Sequence, residues 1–396
     1  MKIKTIECFR LRAPVKEVRG GSSGWVTSRS AVFVKVTTDD GLIGWGEAGQ
    51  TGPTIIVKHL IEQVIAPIYI EANPFDAEVL WERAYLQTRD YGQKGQVIGA
   101  ISGLDIALYD IMGKAAGQPI HRLIGGRMRA SVPTYATGLW YRKDGDSVEA
   151  LVEEAMRFKM RGFRAMKVKV GLGDLRYDVA RIGALRKALG DEIELMIDAN
   201  HAFNVSTAIE FGRRVEEFDI AWLEEPTIPE DIDGYAHIRQ MLRMPIAGGE
   251  CDFTRFGFRH LVSRQAIDIA QPDICGSGGF TELKKIAAIT NAFGVGLIPH
   301  VWNSIIGVVA SLHLVASLPD CPSTANPKPF RQQSGIEFDR SENPLRDSFA
   351  DGVLDFSDGY LAVPSRPGLG IELDVQQLEP WIEQDDHEKL SVVYGR

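Results

Sequence analysis

The chain has 396 residues, of which 44% are hydrophobic and 24% are charged. This composition is ordinary for a globular protein, and the length predicts one large domain together with a second, smaller one. The formal net charge of -9 argues against nucleic acid as a partner, because binding phosphate needs a basic surface.

Nothing in the sequence suggests a membrane or secreted protein. The longest apolar stretches, such as residues 305–310, fall well short of the roughly 20 residues that a membrane-spanning helix needs. The charged N-terminus lacks the apolar core of a signal peptide. Four cysteines are scattered without a CxxC pair, which favours free thiols in a reducing compartment. We therefore predict a cytoplasmic protein with no membrane partner.

Residues 1–128 have the pattern of an α+β domain. Alternation at the N-terminus and a β-branched run at 30–38 predict two strands, and a turn at 39–41 leads into a third. Between the first two strands, residues 15–28 are rich in glycine and serine and predict a mobile loop. Three helical patterns follow, at residues 54–68, 74–90 and 95–116.

From residue 129 to residue 355, short apolar strands alternate with amphipathic helices. Repeated strand-then-helix units imply a parallel sheet, and this many in succession favour a closed α/β barrel. The last segment, residues 356–396, returns to strands and turns, and we expect it to pack on the first domain. The predicted barrel strands are residues 132–136, 165–169, 194–198, 221–224, 245–248, 266–270 and 295–299.

Six ionisable residues recur at the C-terminal ends of successive predicted strands. Their separations are 29, 26, 26, 23 and 27 residues, and each interval fits one strand, one helix and two loops. Because barrels of this kind build their active sites at that rim, we expect the six side chains to converge. They are Lys169, Asp198, Glu224, Glu250, Asp273 and His300.

The three consecutive acids of this series predict a metal site. Any one of Asp198, Glu224 and Glu250 would more often be a solvated loop residue, but three at equivalent points repel one another unless a cation lies between them. All-oxygen ligation selects a hard ion, Mg²⁺ before Mn²⁺ or Ca²⁺. Glu225 competes with Glu224 for this position, and we choose Glu224 because its spacing continues the series.

The outer members of the series carry side chains suited to acid–base chemistry. Lys167 and Lys169 point the same way from one strand, so each ammonium group should lower the pKa of the other and favour a neutral base. Asp273 and His300 end adjacent strands, and a carboxylate on one ring nitrogen leaves the other nitrogen free to move a proton. His201 follows the strand of the first acid and is a candidate for contact with substrate.

These residues stand in short motifs whose order and spacing resemble the mandelate racemase subgroup of the enolase superfamily. The motifs are KVK, IDAN, LEEP, GGE, QPD and IPH. The resemblance covers nearly the whole chain and implies a modified (β/α)7β TIM-like barrel, with an N-terminal capping domain to which the C-terminal segment returns. Enolase-superfamily sites are known to combine a lysine or histidine base with Mg²⁺.

The resemblance implies a role for each matched position. Asp198, Glu224 and Glu250 would bind one Mg²⁺ per subunit, with Mn²⁺ as an alternative ion. Lys169 would be one acid/base, and His300 with Asp273 would be the other on the opposite face. Lys167 would assist at the substrate carboxylate. The implied substrate-binding residues are Asn200, His201, Glu337 and Trp302.

The implied reaction begins with removal of the proton α to the carboxylate, or to the lactone carbonyl, of an acid sugar. Loss of a ring oxygen then gives cycloisomerisation, loss of hydroxide gives dehydration, and return of a proton gives racemisation or epimerisation. Motifs such as YATG, QPDICGSGGF and IEFDRSENPLR resemble the galactarolactone cycloisomerases and favour the first outcome. An acid-sugar dehydratase is the first alternative, and the enzyme is thus an isomerase or a lyase.

Other classes of protein are weighed against this one. The muconate-lactonizing branch would place a lysine near Asp273, and residues 274–276 contain none. A zinc- or iron-dependent barrel hydrolase would need histidine ligands, and only His201 and His300 are near the acids. A non-catalytic barrel that binds acid sugars should have lost a base or a ligand, and none is missing. We expect a homo-oligomer, since symmetric assemblies are common among such enzymes.

Overall fold

The computed structural model describes residues 1–49 and 52–383, and the backbone of 394–395. The chain begins with an antiparallel sheet in which β2 (Gly24–Thr38) pairs with both β1 (Ile3–Gly21) and β3 (Ile43–Ala48). The β-branched run predicted as a strand forms the centre of β2, where Val32, Phe33 and Val34 are buried. This sheet and the helices that follow it constitute the cap.

The glycine-rich segment at residues 15–28 forms a β-hairpin, so the prediction of a mobile loop is wrong. Strands β1 and β2 continue to the tip, where Gly21 pairs with Gly24 around the two-residue turn Ser22-Ser23. Glycine weakens an isolated strand, which is why the composition suggested a loop. Here the Ser22 hydroxyl donates hydrogen bonds to main-chain oxygens of the barrel. Contacts with the barrel thus stabilise the hairpin.

The helices of the cap pack on the sheet at very short range. A Cβ atom placed on Gly46 of β3 would lie 1.9 Å from the carbonyl oxygen of Gly103, so only glycine permits this approach. The three predicted helices are present with interruptions: α1 (Thr54–His59), a π-helical stretch (Leu60–Ile65), α2 (Ala66–Tyr69), a 3-10 turn (Pro74–Asp76), α3 (Ala77–Thr88), α4 (Gln96–Ala116) and the short connecting helix α5 (Ile120–Leu123).

Eight parallel strands form the barrel sheet. They are β4 (Ser131–Thr137), β6 (Ala165–Lys169), β7 (Glu194–Asp198), β8 (Ile220–Glu224), β9 (Ile246–Gly248), β10 (Ile269–Ala270), β11 (Gly296–Leu297) and β12 (Ile336–Asp339), while β5 (Tyr141–Arg142) joins the cap sheet. The spatial order is β12-β4-β6-β7-β8-β9-β10-β11. Within the described residues, no ladder joins β11 to β12. The eighth strand, β12, is absent from the predicted set.

One helix follows each of the first seven barrel strands, which confirms the (β/α)7β arrangement. The helices are α6 (Val148–Met160), α7 (Leu175–Leu189), α8 (Val205–Val215), α9 (Ile232–Met241), α10 (Thr254–Ser263), α11 (Gly279–Ala292) and α12 (Ile305–Ala316). Side chains at five of their N-termini accept hydrogen bonds from the first turn; these are Ser147, Asp174, Asn204, Asp231 and Ser304.

The C-terminal part of the chain touches both the barrel and the cap. Its short elements are α13 (Pro344–Asp347), β13 (Phe356–Ser357), β14 (Tyr360–Ala362), α14 (Val375–Leu378) and β15 (Tyr394–Gly395). Strand β14 pairs with β4 of the barrel, whereas Glu383 forms ion pairs with Arg10 and Arg12 of the cap. The domain boundaries at residues 128 and 355 stay a prediction. No helix among the described residues is both long and apolar enough to cross a membrane.

Candidate active site

The strand ends bring the predicted series to one level of the barrel. Lys169 pairs in register with Asp198, and Asp198 pairs with Glu224. An isolated parallel bridge joins Asp273 to His300 on the other side of the mouth. Equivalent points of neighbouring parallel strands lie side by side in a barrel. Residues that recur once per strand-and-helix unit therefore meet at one rim.

Lys167 is buried among acids from three different strands. Its Nζ atom contacts Glu224 Oε1, and it lies 3.0 Å from Glu337 Oε1 and 3.4 Å from Asp198 Oδ2. Burial lowers the pKa of Lys167, but the negative charges around it, with Glu224 the strongest, outweigh burial and raise the pKa well above its ordinary value. Lys167 is therefore a fixed cation in this arrangement.

Lys169 lies on the same face as Lys167 and contacts Asp198 Oδ2 and, at 2.7 Å, Asn200 Oδ1. Its Nζ atom also lies 4.6 Å from the ring centroid of Trp140. Burial lowers the pKa of Lys169, but the neighbouring carboxylates, with Asp198 first, raise it above its ordinary value. The prediction that the two lysines lower each other's pKa into the neutral range is wrong here, because the carboxylates dominate.

His300 and Asp273 form the predicted pair. His300 Nδ1–H donates to Asp273 Oδ2 at 2.8 Å, while Nε2 faces Glu250 Oε2 at 3.6 Å. The other oxygen of Asp273 accepts backbone N–H groups of Cys275 and Gly276. Burial lowers the pKa of His300, but the charge of Glu250 and the bond to Asp273 outweigh it and raise the pKa to about 10. The ring is thus oriented with Nε2 toward the site.

Glu337, the most distant of the predicted residues in sequence, lies inside the same cluster. It accepts hydrogen bonds from Thr137 and from the backbone N–H of Val301, at 2.9 Å for the latter. Burial raises its pKa, but Lys167 and His300 outweigh that effect and lower it to about 2. Glu337 is therefore negatively charged, and its hydrogen bonds join the end of β12 to the ends of β4 and β11.

The remaining predicted substrate-binding residues lie at the edge of the cluster. Asn200 bridges Lys169 to Glu225, since its Nδ2 group donates to Glu225 Oε2 at 3.3 Å. His201 Nε2 lies 3.2 Å from Glu225 Oε2. The guanidinium of Arg29 stacks on Trp302, with the Arg29 Cζ atom 3.8 Å from the centroid of the Trp302 ring.

The chemistry of the donors fits a hard divalent cation. Asp198, Glu224 and Glu250 offer only carboxylate oxygens, which is the ligand type that Mg²⁺ prefers. Burial raises the pKa of Glu224 to about 7, and the charges of the other acids contribute to that rise in spite of Lys167. Four acids, Asp198, Glu224, Glu250 and Glu337, lie around the two lysines Lys167 and Lys169. Lys167 Nζ contacts Glu224 Oε1 and lies 3.4 Å from Asp198 Oδ2, so this ammonium group lies against two of the three acids.

Two features of the site go beyond the roles that the sequence predicted. The hairpin tip covers the mouth, where a Cβ atom on Gly21 would lie 3.7 Å from Asn200 Oδ1 and 3.9 Å from Lys169 Cδ. Glu225 was weighed only as a rival of Glu224, yet it holds Asn200 and His201. The family resemblance implies that the loops governing substrate specificity lie in the cap, around residues 15–28 and 49–53, but sequence spacing alone cannot show which loop covers a barrel.

Both parts of the chain match described families. Residues 5–125 match "Mandelate racemase / muconate lactonizing enzyme, N-terminal domain", and residues 150–378 match "Enolase C-terminal domain-like". Residues 126–149, which include β4 and β5, lie between the two matches.

Similar proteins agree with this assignment. D-galactarolactone cycloisomerase of Agrobacterium fabrum is 40% identical over 376 residues, with 94% of this chain and 97% of that protein covered. Arabinonate dehydratase of Saccharolobus solfataricus is 35% identical, with 86% and 87% covered.

Solved structures agree as well. The 3,6-anhydro-D-galactonate cycloisomerase from Zobellia galactanivorans has a TM-score of 0.86 at 40% identity, with 97% of this chain and 100% of that chain covered. A racemase from Streptomyces coelicolor with bound magnesium has a TM-score of 0.86 at 30% identity, with 96% and 100% covered. The chain therefore belongs to the mandelate racemase/muconate lactonizing enzyme family of the enolase superfamily, a family of enzymes.

Proposed function

We propose that this enzyme removes the proton α to the carboxylate, or to the lactone carbonyl, of an acid sugar. The observation that carries the proposal is the position of two acid–base groups, Lys169 and the His300–Asp273 pair, on either side of a cluster of carboxylates. Both groups are buried at the rim where barrels build their active sites. Either can therefore face one side of a planar substrate.

In this proposal Asp198, Glu224 and Glu250 hold one Mg²⁺ per subunit, and Mn²⁺ is an alternative ion. The ion would supply positive charge next to the substrate oxygen on which negative charge develops. It would also neutralise part of the carboxylate charge that raises the pKa of Lys169, and would thereby lower that pKa. The magnesium-bound racemase among the similar structures supports this assignment.

The protein's own residues bind and orient the substrate. Lys167 presents a fixed positive charge, and Glu337 lies 3.0 Å from it, so together they offer a donor and an acceptor to a carboxyl or lactone group. Asn200 faces the same space as Lys169 and can bind a hydroxyl. Lys169 or His300 takes the α-proton, and the hairpin tip above them excludes water from the site.

We propose that a ring oxygen leaves next, which makes the enzyme an aldarolactone cycloisomerase of the galactarolactone type. The similarity to D-galactarolactone cycloisomerase over 94% of this chain supports this choice. Acid-sugar dehydration is the second candidate, because arabinonate dehydratase is 35% identical. Racemisation or epimerisation would use the same two bases. A screen of acid sugars and their lactones, read as 2-keto product, separates these outcomes.

The two-base scheme is tested by solvent deuterium exchange in Lys169→Met and His300→Asn. Each variant should lose turnover by about 100-fold or more, because general acid–base catalysis contributes that much. Exchange at the α-carbon should survive only from the face of the remaining base. The exposed His59 provides a matched control, since His59→Asn should behave like the parent enzyme. Exchange that is unchanged in both active-site variants would refute the scheme.

The metal assignment is tested by removal and return of the ion. Chelation should abolish turnover and Mg²⁺ should restore it, whereas full activity in metal-free enzyme would contradict the ligand set. A cytoplasmic homo-oligomer remains part of the proposal. Light scattering of the purified chain would measure the oligomeric state.

A further inference from the structure

A second group of ligand-type side chains lies directly beyond the three proposed magnesium ligands. Strands β7 and β8 end in Asp198 and Glu224, and Glu250 lies two residues past the end of β9. One to three residues after each acid comes a second donor, and these second donors are His201, Glu225 and Cys251. The ligand atoms of the second group all lie within 4.8 Å of one another. Among the described residues it is the one group of three such donors that meets this distance.

The separations within this second group match the edges of a metal-centred tetrahedron. Bond lengths of about 2.0–2.1 Å to nitrogen or oxygen and about 2.3 Å to sulfur place a nitrogen and an oxygen ligand about 3.3 Å apart, and a nitrogen and a sulfur ligand about 3.6 Å apart. His201 Nε2 lies 3.2 Å from Glu225 Oε2 and 3.7 Å from Cys251 Sγ. The two observed edges thus agree with a single ion in contact with all three side chains.

The side-chain partners of Glu225 are consistent with a role as a metal ligand. This carboxylate is buried, and its neighbours in the barrel mouth are further acids. Its side chain contacts the amide of Asn200 and the ring of His201, and no lysine or arginine of the described chain pairs with it. A bound divalent ion would therefore be a cationic partner for Glu225 that no lysine or arginine supplies.

We propose that His201, Glu225 and Cys251 form a second metal site, specific for a borderline ion such as Zn²⁺ or Co²⁺. Thiolate and imidazole ligands select these ions over Mg²⁺, which prefers an all-oxygen shell. On binding, the Cys251 thiol releases its proton to solvent, and His201 ligates through Nε2 with its proton on Nδ1. Three protein ligands leave the fourth position open, and His201 is 25% exposed, so water can occupy that position.

The test uses full-length, untagged protein freed of metal by chelation and then saturated with Mg²⁺. Co²⁺ is added as the probe, because a thiolate ligand gives a charge-transfer absorption in the near ultraviolet and carboxylates do not. We expect one equivalent of Co²⁺ to produce this band and Zn²⁺ to remove it. The absorption is measured without substrate, so its result does not depend on whether the proposed catalytic function is correct.

Matched variants assign the band to this site. Cys251→Ser should abolish it, and His201→Gln should weaken Co²⁺ binding about tenfold or more. Cys321→Ser, which removes a thiol elsewhere, and Asp198→Asn, which alters the proposed magnesium site, should retain it; circular dichroism checks the fold of each variant. Absence of the band in the parent protein would overturn the proposal. So would a band that persists in Cys251→Ser, or unchanged affinity in His201→Gln.

Discussion

A buried pair of histidines joins three parts of the molecule and should make its stability depend on pH. His121 of α5 and His313 of α12 place their Nδ1 atoms 3.0 Å apart, and His313 Nε2–H donates to the carbonyl oxygen of Leu369 at 3.0 Å. This fixes His313 Nδ1 as the acceptor and His121 Nδ1–H as the donor. A second proton between the rings would break the contact.

The size of the effect follows from the pKa values. Burial lowers the pKa of His121 from 6.5 to about 4, and it lowers that of His313 from 6.5 to about 3. Folded pKa values below the unfolded value mean that the stabilisation is complete above pH 6.5 and is lost as the pH falls toward the folded values. At a pH of about 5.5, each histidine lowers the free energy of unfolding by about 1.4 kcal/mol, or about 3 kcal/mol for the pair.

Thermal unfolding measures this loss. At the usual entropy of unfolding per residue, about 3 kcal/mol corresponds to a fall of about 4 °C in Tm for a chain of this length. The double variant His121→Gln/His313→Gln should lack that part of the shift between pH of about 8 and 5.5, because other groups titrate equally in both proteins. His59→Gln, at an exposed position, should keep the parent's full shift. Equal pH sensitivity in the parent and the double variant would refute the assignment.

Three further predictions follow from single contacts. Glu337→Gln should lower kcat/KM by about 10- to 100-fold in steady-state assays, because hydrogen bonds to charged groups contribute about 1.5–3 kcal/mol; an unchanged ratio would exclude a binding role. Ser22→Ala should lower kcat/KM about fivefold and Tm by only about 1 °C, since a net hydrogen bond is worth about 1 kcal/mol, while Ser23→Ala at the exposed neighbour should change neither. Gly46→Ala should cost about 3 kcal/mol through its clash with Gly103, and a Tm within error of the parent would contradict the close packing.

The sequence was sufficient to predict the series of strand ends, for a geometric reason. In a parallel barrel, each strand and helix occupies a similar length of chain, so side chains at equal intervals meet at one rim. Lys169, Asp198 and Glu224 accordingly pair in register. Glu337 could be placed only by resemblance, because the connection before β12 does not keep the interval.

Other features depend on contacts that no local pattern contains. The hairpin formed by residues 15–28 is stabilised by bonds to the barrel, so its glycines gave the wrong expectation. The pKa of Lys169 is set by Asp198 across a strand boundary more than by its sequence neighbour Lys167. Glu225 turns toward His201 with a φ of 44°, a conformation that alternation along a strand does not predict.

The hairpin contact has a consequence for how the enzyme could diversify. Ser22 donates to the carbonyl oxygens of residues 199 and 200, and a carbonyl oxygen is present there whatever side chain those positions carry. Substitutions among the barrel loops therefore leave the anchor of the tip intact, and substitutions on the hairpin leave the proton-transfer groups of the barrel intact. The sequence of the hairpin and the proton-transfer groups of the barrel can thus change independently.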